Sequence, residues 1–288
     1  MYAITGITGK VGGAVARVLL GAHRSVRAVV RDVEKGRLWA SEGCEVVEAQ
    51  MQDAASLTAA FTAAEGVFIL PPSEFDPSPG FPEARAVIAA VRAALESARP
   101  GRVVCLSTIG AQSTRSNLLT QRTLMEAALG QLPMPIAFLR PAWFMENAAW
   151  DVASARQTGV ISSFLQPLNK PMPMVATADV GRVAAELLQQ NWTGRRVVEL
   201  EGPSRFAPRD VAAAFGRILG HAVRIEAIPR ETWNGLFESQ GMQHPLPRIQ
   251  MLDGFNEGWI DFEGGLTGSM KGNTELETVL RELVDRAA

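Results

Sequence analysis

From its second residue the chain alternates short apolar runs with longer stretches in which apolar residues recur every three or four positions. Tyr2–Thr5, Val26–Val30, Cys44–Val47, Gly66–Leu70, Arg102–Leu106 and Pro135–Leu139 have strand length and are apolar on both faces. Between them, Val11–Leu20, Ala54–Ala64, Pro82–Ala98 and Asn117–Gly130 have helical spacing and are rich in Ala or Leu. The charged segment Asp32–Glu42 predicts a surface helix. Strands without a polar face need cover on both sides, which helices alternating with them in sequence supply. Six such strands before Arg140 predict an α/β fold with a Rossmann-type, doubly wound parallel sheet.

After Arg140 the pattern loosens. Phe144–Gln157 predicts a helix and Val160–Leu165 a strand, while Pro167, Pro171 and Pro173 punctuate a loop. Ala178–Gln190 and Pro208–Leu219 predict helices, and Asp179 places a negative charge in the first turn of the former, where it suits the dipole. Arg196–Leu200 and Val223–Ile228 read as strands. The tail from Pro229 is richer in Gly, Trp and Met and ends in a helix over Thr274–Arg286. The organisation expected is an NAD(P)-binding Rossmann domain over residues 1–148 and a smaller α/β lobe over 149–288 that caps the substrate. Residues from about 175 to 201 of that lobe are expected to return to the Rossmann core.

Composition narrows the function classes. The 288 residues carry 28 Lys+Arg against 30 Asp+Glu, a formal charge of −2, which offers no electrostatic footprint for nucleic acid. No stretch approaches the roughly 20 apolar residues of a membrane-spanning helix. Met1–Gly6 lacks the basic region and apolar run of a signal peptide. Cys44 and Cys105 each stand alone inside apolar runs, which reads as buried reduced thiols in a cytoplasmic protein, and no metal-ligand cluster is legible. The lone tyrosine is the most restrictive feature. Tyr2 has Gly6 four residues after it, and the lysines are Lys10, Lys35, Lys170 and Lys271, so a Tyr-x-x-x-Lys acid–base pair does not exist in this chain.

Gly6-Ile7-Thr8-Gly9-Lys10-Val11-Gly12 reads G-x-x-G-x-x-G between the first strand and the first helix. Gly6 lets the chain turn off the strand, Gly9 lets backbone approach a pyrophosphate, and Gly12 lets helix and strand pack closely. The N–H groups freed at the helix N-terminus then point at the phosphates. At the end of the second strand, where NAD sites place an acidic residue, Arg31 comes first and Asp32 one position later. A guanidinium there matches a 2′-phosphate in charge and fork geometry, and Lys10 adds positive charge nearby, so NADP is favoured over NAD. The competing reading leaves Arg31 solvated and gives the ribose to Asp32.

Thr5 to Gly12, Val30-Arg31-Asp32, Val104-Cys105-Leu106-Ser107 and the run Leu139-Arg140-Pro141-Ala142-Trp143-Phe144-Met145-Glu146-Asn147 together resemble the NmrA-like family, an atypical branch of the short-chain dehydrogenase/reductases. Within it the chain is most similar to the flavin-free, type-2 NAD(P)H:quinone oxidoreductases, and the similarity extends to Lys271-Gly272-Asn273-Thr274-Glu275-Leu276. The resemblance implies that Gly6, Thr8, Gly9, Lys10, Val11 and Gly12 cradle the pyrophosphate and that Arg31 meets the adenosine phosphate. It also implies that Pro71, Pro72 and Ser73 lie along the ribose and nicotinamide, with Pro141, Ala142, Trp143 and Phe144 beside the nicotinamide. Lys170 resembles a family lysine that reaches the cofactor. Two positions depart from the pattern: Gln50 stands where many relatives have Asp near the adenine, and Arg122 stands where some reductases carry a catalytic Lys.

Ketone reduction leaves a basic alkoxide that needs a proton donor, and the missing Tyr–Lys pair argues against it and against sugar-nucleotide epimerisation. Quinone reduction needs less help, because the charge left by hydride addition spreads through a ring that becomes aromatic, and positioning then carries most of the catalysis. Trp143, Phe144 and Met145 suit a flat acceptor or pack at a strand end. Ser107 is placed either to bond a substrate carbonyl or the cofactor, or to cap or turn the chain, and Asn147 either to bond a ligand or to brace a loop. His23 and His221 read as surface residues, and His244 is the histidine to consider as an acid. The expected activity is NADPH-dependent hydride transfer to a quinone or similar flat, electron-poor small molecule. The rival is a redox sensor that binds NADP(H) without turnover and acts through a protein partner. A homodimer is compatible with either.

Overall fold

A computed structural model describes residues 1–287, the side chain of Leu266 excepted. Strand and helix alternate through the first half: β1 (Tyr2–Thr5), α1 (Lys10–Gly21), β2 (Val26–Val30), α2 (Arg37–Ser41), β3 (Glu45–Glu48), α3 (Ala54–Phe61), β4 (Gly66–Ile69), α4 (Pro82–Ala98), β5 (Val103–Leu106), α5 (Thr120–Leu129) and β6 (Ile136–Pro141). The second half adds β7 (Trp143–Phe144), α6 (Val152–Thr158), β8 (Val160–Ser163), β9 (Met172–Val175), α7 (Thr177–Gln189), β10 (Arg195–Glu201), β11 (Arg205–Phe206), α8 (Pro208–Leu219) and β12 (Arg224–Ala227). It ends with α9 (Trp233–Ser239), α10 (Leu246–Glu257), α11 (Gly265–Gly268), β13 (Met270–Lys271) and α12 (Leu276–Arg286).

Eight strands form one parallel sheet in the order β13-β10-β6-β5-β4-β1-β2-β3. β1, β4, β5 and β6 are buried along their whole length, as apolar strands covered on both faces must be. α1 and α7 pack on one face and α3, α4 and α5 on the other. The strand order reverses between β1 and β4, so their following helices leave on opposite faces and open a crevice at the carboxyl ends of the strands. α7 reaches α1 so closely that a Cβ on Gly181 would lie 2.3 Å from that of Ala14. A third apolar cluster, including Met145, Ile161, Met174, Phe215 and Leu280, joins α8 and α12 to the segments after β6.

Four expectations are corrected. The charged surface segment breaks into a 3-10 turn at Val33–Gly36 and the short α2, because a Cβ on Gly36 would meet Val46 at 2.5 Å and the chain bends there against β3. Phe144–Gln157 is not one helix: Trp143 and Phe144 pair with Met174 and Val175, a 3-10 stretch covers Met145–Asp151, and only then does α6 begin. The proline-punctuated loop contains β9, the middle of a three-stranded sheet whose neighbours are two residues each, short enough to tolerate Pro173. The Gly- and Trp-rich tail holds α9 and α10, which bury Trp233, Phe237, Ile249, Leu252 and Phe255 against the rest of the fold. Among the described residues, no helix is long and apolar enough to cross a membrane.

Candidate active site

The site begins where β1 turns into α1. Thr5 donates its hydroxyl to the Phe68 carbonyl at 3.0 Å and accepts the Leu70 N–H at 2.8 Å, which pins β1 beside β4 at the mouth of the crevice. Gly6 then takes a left-handed conformation with φ +64°, and its carbonyl accepts the Gly9 N–H at 3.0 Å. A Cβ on Gly12 would stand 2.3 Å from the Gly6 oxygen, so α1 approaches the loop as only glycine permits. Val11 is buried beneath the loop, and Thr8 and Lys10 face solvent. A cavity of about 410 Å³ runs past Gly6, Thr8, Arg31, Gln50, Leu70 and Pro72. Arg31 is exposed there and makes no ion pair among the described residues. The Asp32 carboxylate accepts the Glu34 N–H at 3.0 Å and caps the turn that follows. Gln50 donates to the Arg31 carbonyl at 3.0 Å, so it braces the loop end.

A second cavity, about 300 Å³, opens past the ends of β4, β5 and β6. Its wall includes Ser73, Ser107, Pro141, Ala142, Trp143 and Phe144, and it shares Glu74 and Gln121 with the first. Arg122 stands in this wall and donates to the Pro71 carbonyl at 3.2 Å and the Ser73 hydroxyl at 2.9 Å. No carboxylate pairs with it among the described residues, and burial lowers its pKa to about 10. Ser107 donates its hydroxyl to Glu126 at 2.5 Å, so the Ser107 proton is held by a carboxylate inside the fold.

The third cavity, about 310 Å³, lies beyond Trp143, Phe144, Asn147, Trp150, Arg248 and Met251, all of which also line the second. Its far side is apolar, with Phe164, Leu165, Val211 and Ile225 among the lining residues. Asp151 faces it, and burial pushes that carboxyl up to about 6. Trp143 is held edge-on to Phe255 with ring centroids 5.3 Å apart. Trp150 is 75 % exposed and Phe75 58 % exposed at the rim, larger apolar surfaces than folding alone requires.

Other conspicuous residues brace this architecture. Glu146 accepts the Thr177 N–H at 2.8 Å and so ties the segment after β6 to the start of α7. Asp179 accepts the N–H groups of Asn273 and Thr274 at 3.0 and 2.9 Å, fastening the Lys271–Leu276 segment to the same helix. Lys170, expected to reach the cofactor, instead donates to the Phe255 and Asn256 carbonyls, both at 2.9 Å, at the C-terminal end of α10. A cation suits that helix end, and Lys170 lines none of the three cavities. His244 lines none of them either; its backbone N–H, like that of Gln243, bonds Asp76.

Sequence reasoning missed Arg248, Asp151 and Trp150. Asp151 and Trp150 fall in a segment expected to be an unbroken helix, and Arg248 in the part of the tail before Thr274, where no helix was expected, so no pattern aimed them at the crevice. The polar residue in the otherwise apolar stretch around Trp150 was the available signal for Asp151.

The model of the NmrA-like family matches residues 2–261. Among characterised proteins, an NAD(P)H azoreductase of Xenophilus azovorans is 26% identical over 249 residues, 85% of this chain and 83% of that protein. A (4-alkanoyl-5-oxo-2,5-dihydrofuran-3-yl)methyl phosphate reductase of Streptomyces griseus is 28% identical over 230 residues, 79% of this chain and 77% of the other. In three dimensions, the NADPH-dependent quinone oxidoreductase QOR2 of Escherichia coli in complex with NADPH superposes with a TM-score of 0.80 at 22% identity, over 100% of this chain and 99% of the other. The triphenylmethane reductase of Citrobacter sp. superposes with a TM-score of 0.78 at 20% identity, over 99% of each chain. These two structures share the fold with the present one.

Proposed function

This chain belongs to the NmrA-like family, and from that premise we propose that it is an NADPH-dependent reductase acting on quinones or similar flat, electron-poor acceptors. The observation that carries the reading is the row of three adjoining cavities. The first lies against the glycine loop, the second shares Glu74 and Gln121 with it, and the third shares the Trp143–Phe144 wall with the second. Such a row has the shape for a dinucleotide with its nicotinamide end beside an acceptor chamber.

The residues fit that cofactor. Gly6 and Gly12 form a cradle that a side chain would fill, and Arg31 offers a guanidinium with no ion pair among the described residues while the neighbouring Asp32 is engaged in a cap. That pairing supports NADP over NAD. Bound there, the dinucleotide supplies a hydride. The chain supplies position: Pro141, Ala142 and Trp143 wall one side, and Arg122 holds the Pro71 carbonyl and Ser73 on the other. No Tyr-x-x-x-Lys pair is present to protonate an alkoxide, and the Ser107 hydroxyl is bonded to Glu126. Both facts favour acceptors whose reduced form spreads its negative charge. The azoreductase and quinone oxidoreductase relatives are named for acceptors that are conjugated in this sense.

The test is to mix the purified protein with NADPH and a panel of benzo- and naphthoquinones and to follow loss of reduced nicotinamide. Quinone-dependent oxidation is the expected result. Tight NADPH binding with no acceleration by any acceptor overturns the reductase reading and leaves a dinucleotide sensor that acts through a protein partner.

A further inference from the structure

Arg248 sits in the first turn of α10 and belongs to the wall between the second and third cavities. Its guanidinium lies over the Phe237 ring, 4.5 Å from the centroid, and its one hydrogen-bond partner among the described residues is the Met242 sulfur at 3.7 Å. A thioether is a weak acceptor. No carboxylate lies within ion-pair distance of Arg248 among the described residues. Two other interior arginines do have carboxylate partners: Arg140 pairs with Glu126 and Glu263, and Arg205 with Glu201 and Asp261. A guanidinium taken partly out of water without an anion is uncommon, because the partner is what offsets its desolvation.

We propose that Arg248 is an anion-recognition residue and that the natural acceptor is a flat conjugated molecule carrying an acidic substituent, a carboxylate, sulfonate or phosphate. This rests on the reductase reading for the word acceptor, and on the cavity geometry for the anion. The Phe237 ring holds the guanidinium in place on one side, and the fork of N–H groups that a guanidinium carries matches two oxygens of such a group. The charges around it agree. Arg122 lines the second cavity with Arg248 and, among the described residues, also has no carboxylate partner, and Asp151 in the third and Glu74 in the second form no ion pair there with either. The planar part of the ligand then rests against Trp143 and Phe144, with the acidic group at the junction and the apolar chamber behind it for any extension.

The probes are naphthalene-2-sulfonate and the isosteric but neutral naphthalene-2-sulfonamide, titrated calorimetrically into the protein saturated with NADP⁺. Sulfonate binding at least about tenfold tighter than sulfonamide is expected, the size of one charge-assisted bidentate contact. Arg248→Met, which retains apolar packing on Phe237, is expected to abolish that preference, and Arg248→Lys to retain part of it. Absence of sulfonate binding, equal affinity for the two probes, or a preference that survives Arg248→Met overturns the proposal. The wild-type comparison decides even if a variant fails to fold. Because neither probe is reduced, failure of the quinone assay leaves this test intact, and failure of this test leaves turnover of neutral quinones intact.

Discussion

Arg140 and Glu126 meet through two parallel hydrogen bonds, 2.9 Å from Nε to Oε1 and 2.7 Å from Nη2 to Oε2, with both side chains at most 5 % exposed. The pair joins α5 to the end of β6, and Oε1 also takes the Ser107 hydroxyl. Pro141, Ala142 and Trp143 follow directly, so the wall of the second cavity hangs from this ion pair. Removing one partner of a buried pair leaves the other charge uncompensated, at a cost of about 3–5 kcal/mol. Glu199 at 3.6 Å and Glu263 at 2.9 Å also face Arg140 and soften the loss. Glu126→Leu is therefore expected to destabilise the protein by about 3 kcal/mol in urea unfolding, and an unchanged midpoint would refute this account of the pair.

Gly12→Ala tests the glycine cradle. The new Cβ would fall 2.3 Å from the Gly6 oxygen and 2.6 Å from the Gly6 carbonyl carbon, and backbone cannot swing aside as a side chain can. Either α1 or the loop must move, and the N–H groups of the loop lose their aim. NADPH affinity, followed by the fluorescence of the bound reduced nicotinamide, is expected to fall at least about tenfold. Gly9→Ala is expected to be milder in the free protein, since its Cβ would meet the same oxygen at 3.3 Å.

How much of this was legible in the sequence depends on the distance over which each signal acts. β1, β2 and α1 are specified by apolar runs and glycines within a few residues, so the strand–loop–helix cofactor cradle could be read directly. Arg31 was likewise found by counting from the second strand. Lys170 was placed by resemblance, yet its ammonium is captured by the end of α10, about which the local sequence around Lys170 says nothing. Ser107 shows the same limit: its position at a strand end was legible, its commitment to Glu126 was not. α10 escaped notice because Arg248 interrupts the face shared by its buried residues Ile249, Met251, Leu252 and Phe255, while the exposed Leu246 lies off that face, which blurs the stripe. The acceptor chamber was therefore the least legible part, being assembled from segments far apart in the chain.

Arg31→Ala separates NADP from NAD. The guanidinium is exposed beside the first cavity and makes no ion pair among the described residues, so its removal perturbs no internal contact of that kind. A charge-assisted contact to a 2′-phosphate contributes about 1.5–3 kcal/mol, or more than tenfold in affinity. NADPH is expected to weaken by at least about tenfold while NADH changes by less than about twofold. Equal losses for the two dinucleotides in parallel titrations would transfer the ribose to Asp32.

Asp151 predicts an unusual dependence of stability on pH. Burial against the third cavity lifts its carboxyl from the ordinary aspartate range to about 6. The folded chain therefore holds a proton on Asp151 that the unfolded chain releases at lower pH. A group raised in the folded state contributes its stability below the unfolded value and loses it as pH climbs through the folded one. Wild-type protein should accordingly lose stability between about pH 4 and 6 from this group and carry a constant penalty above that range. Asp151→Asn keeps the shape, never ionises, and escapes the penalty. The variant is expected to be more stable than wild type at pH 8 by about 1–3 kcal/mol, with the difference vanishing near pH 4. Thermal melts of both proteins across that interval measure it directly. A difference that grows toward low pH would mean that Asp151 is stabilised as the carboxylate, and that the cavity it faces is wetter than its lining implies.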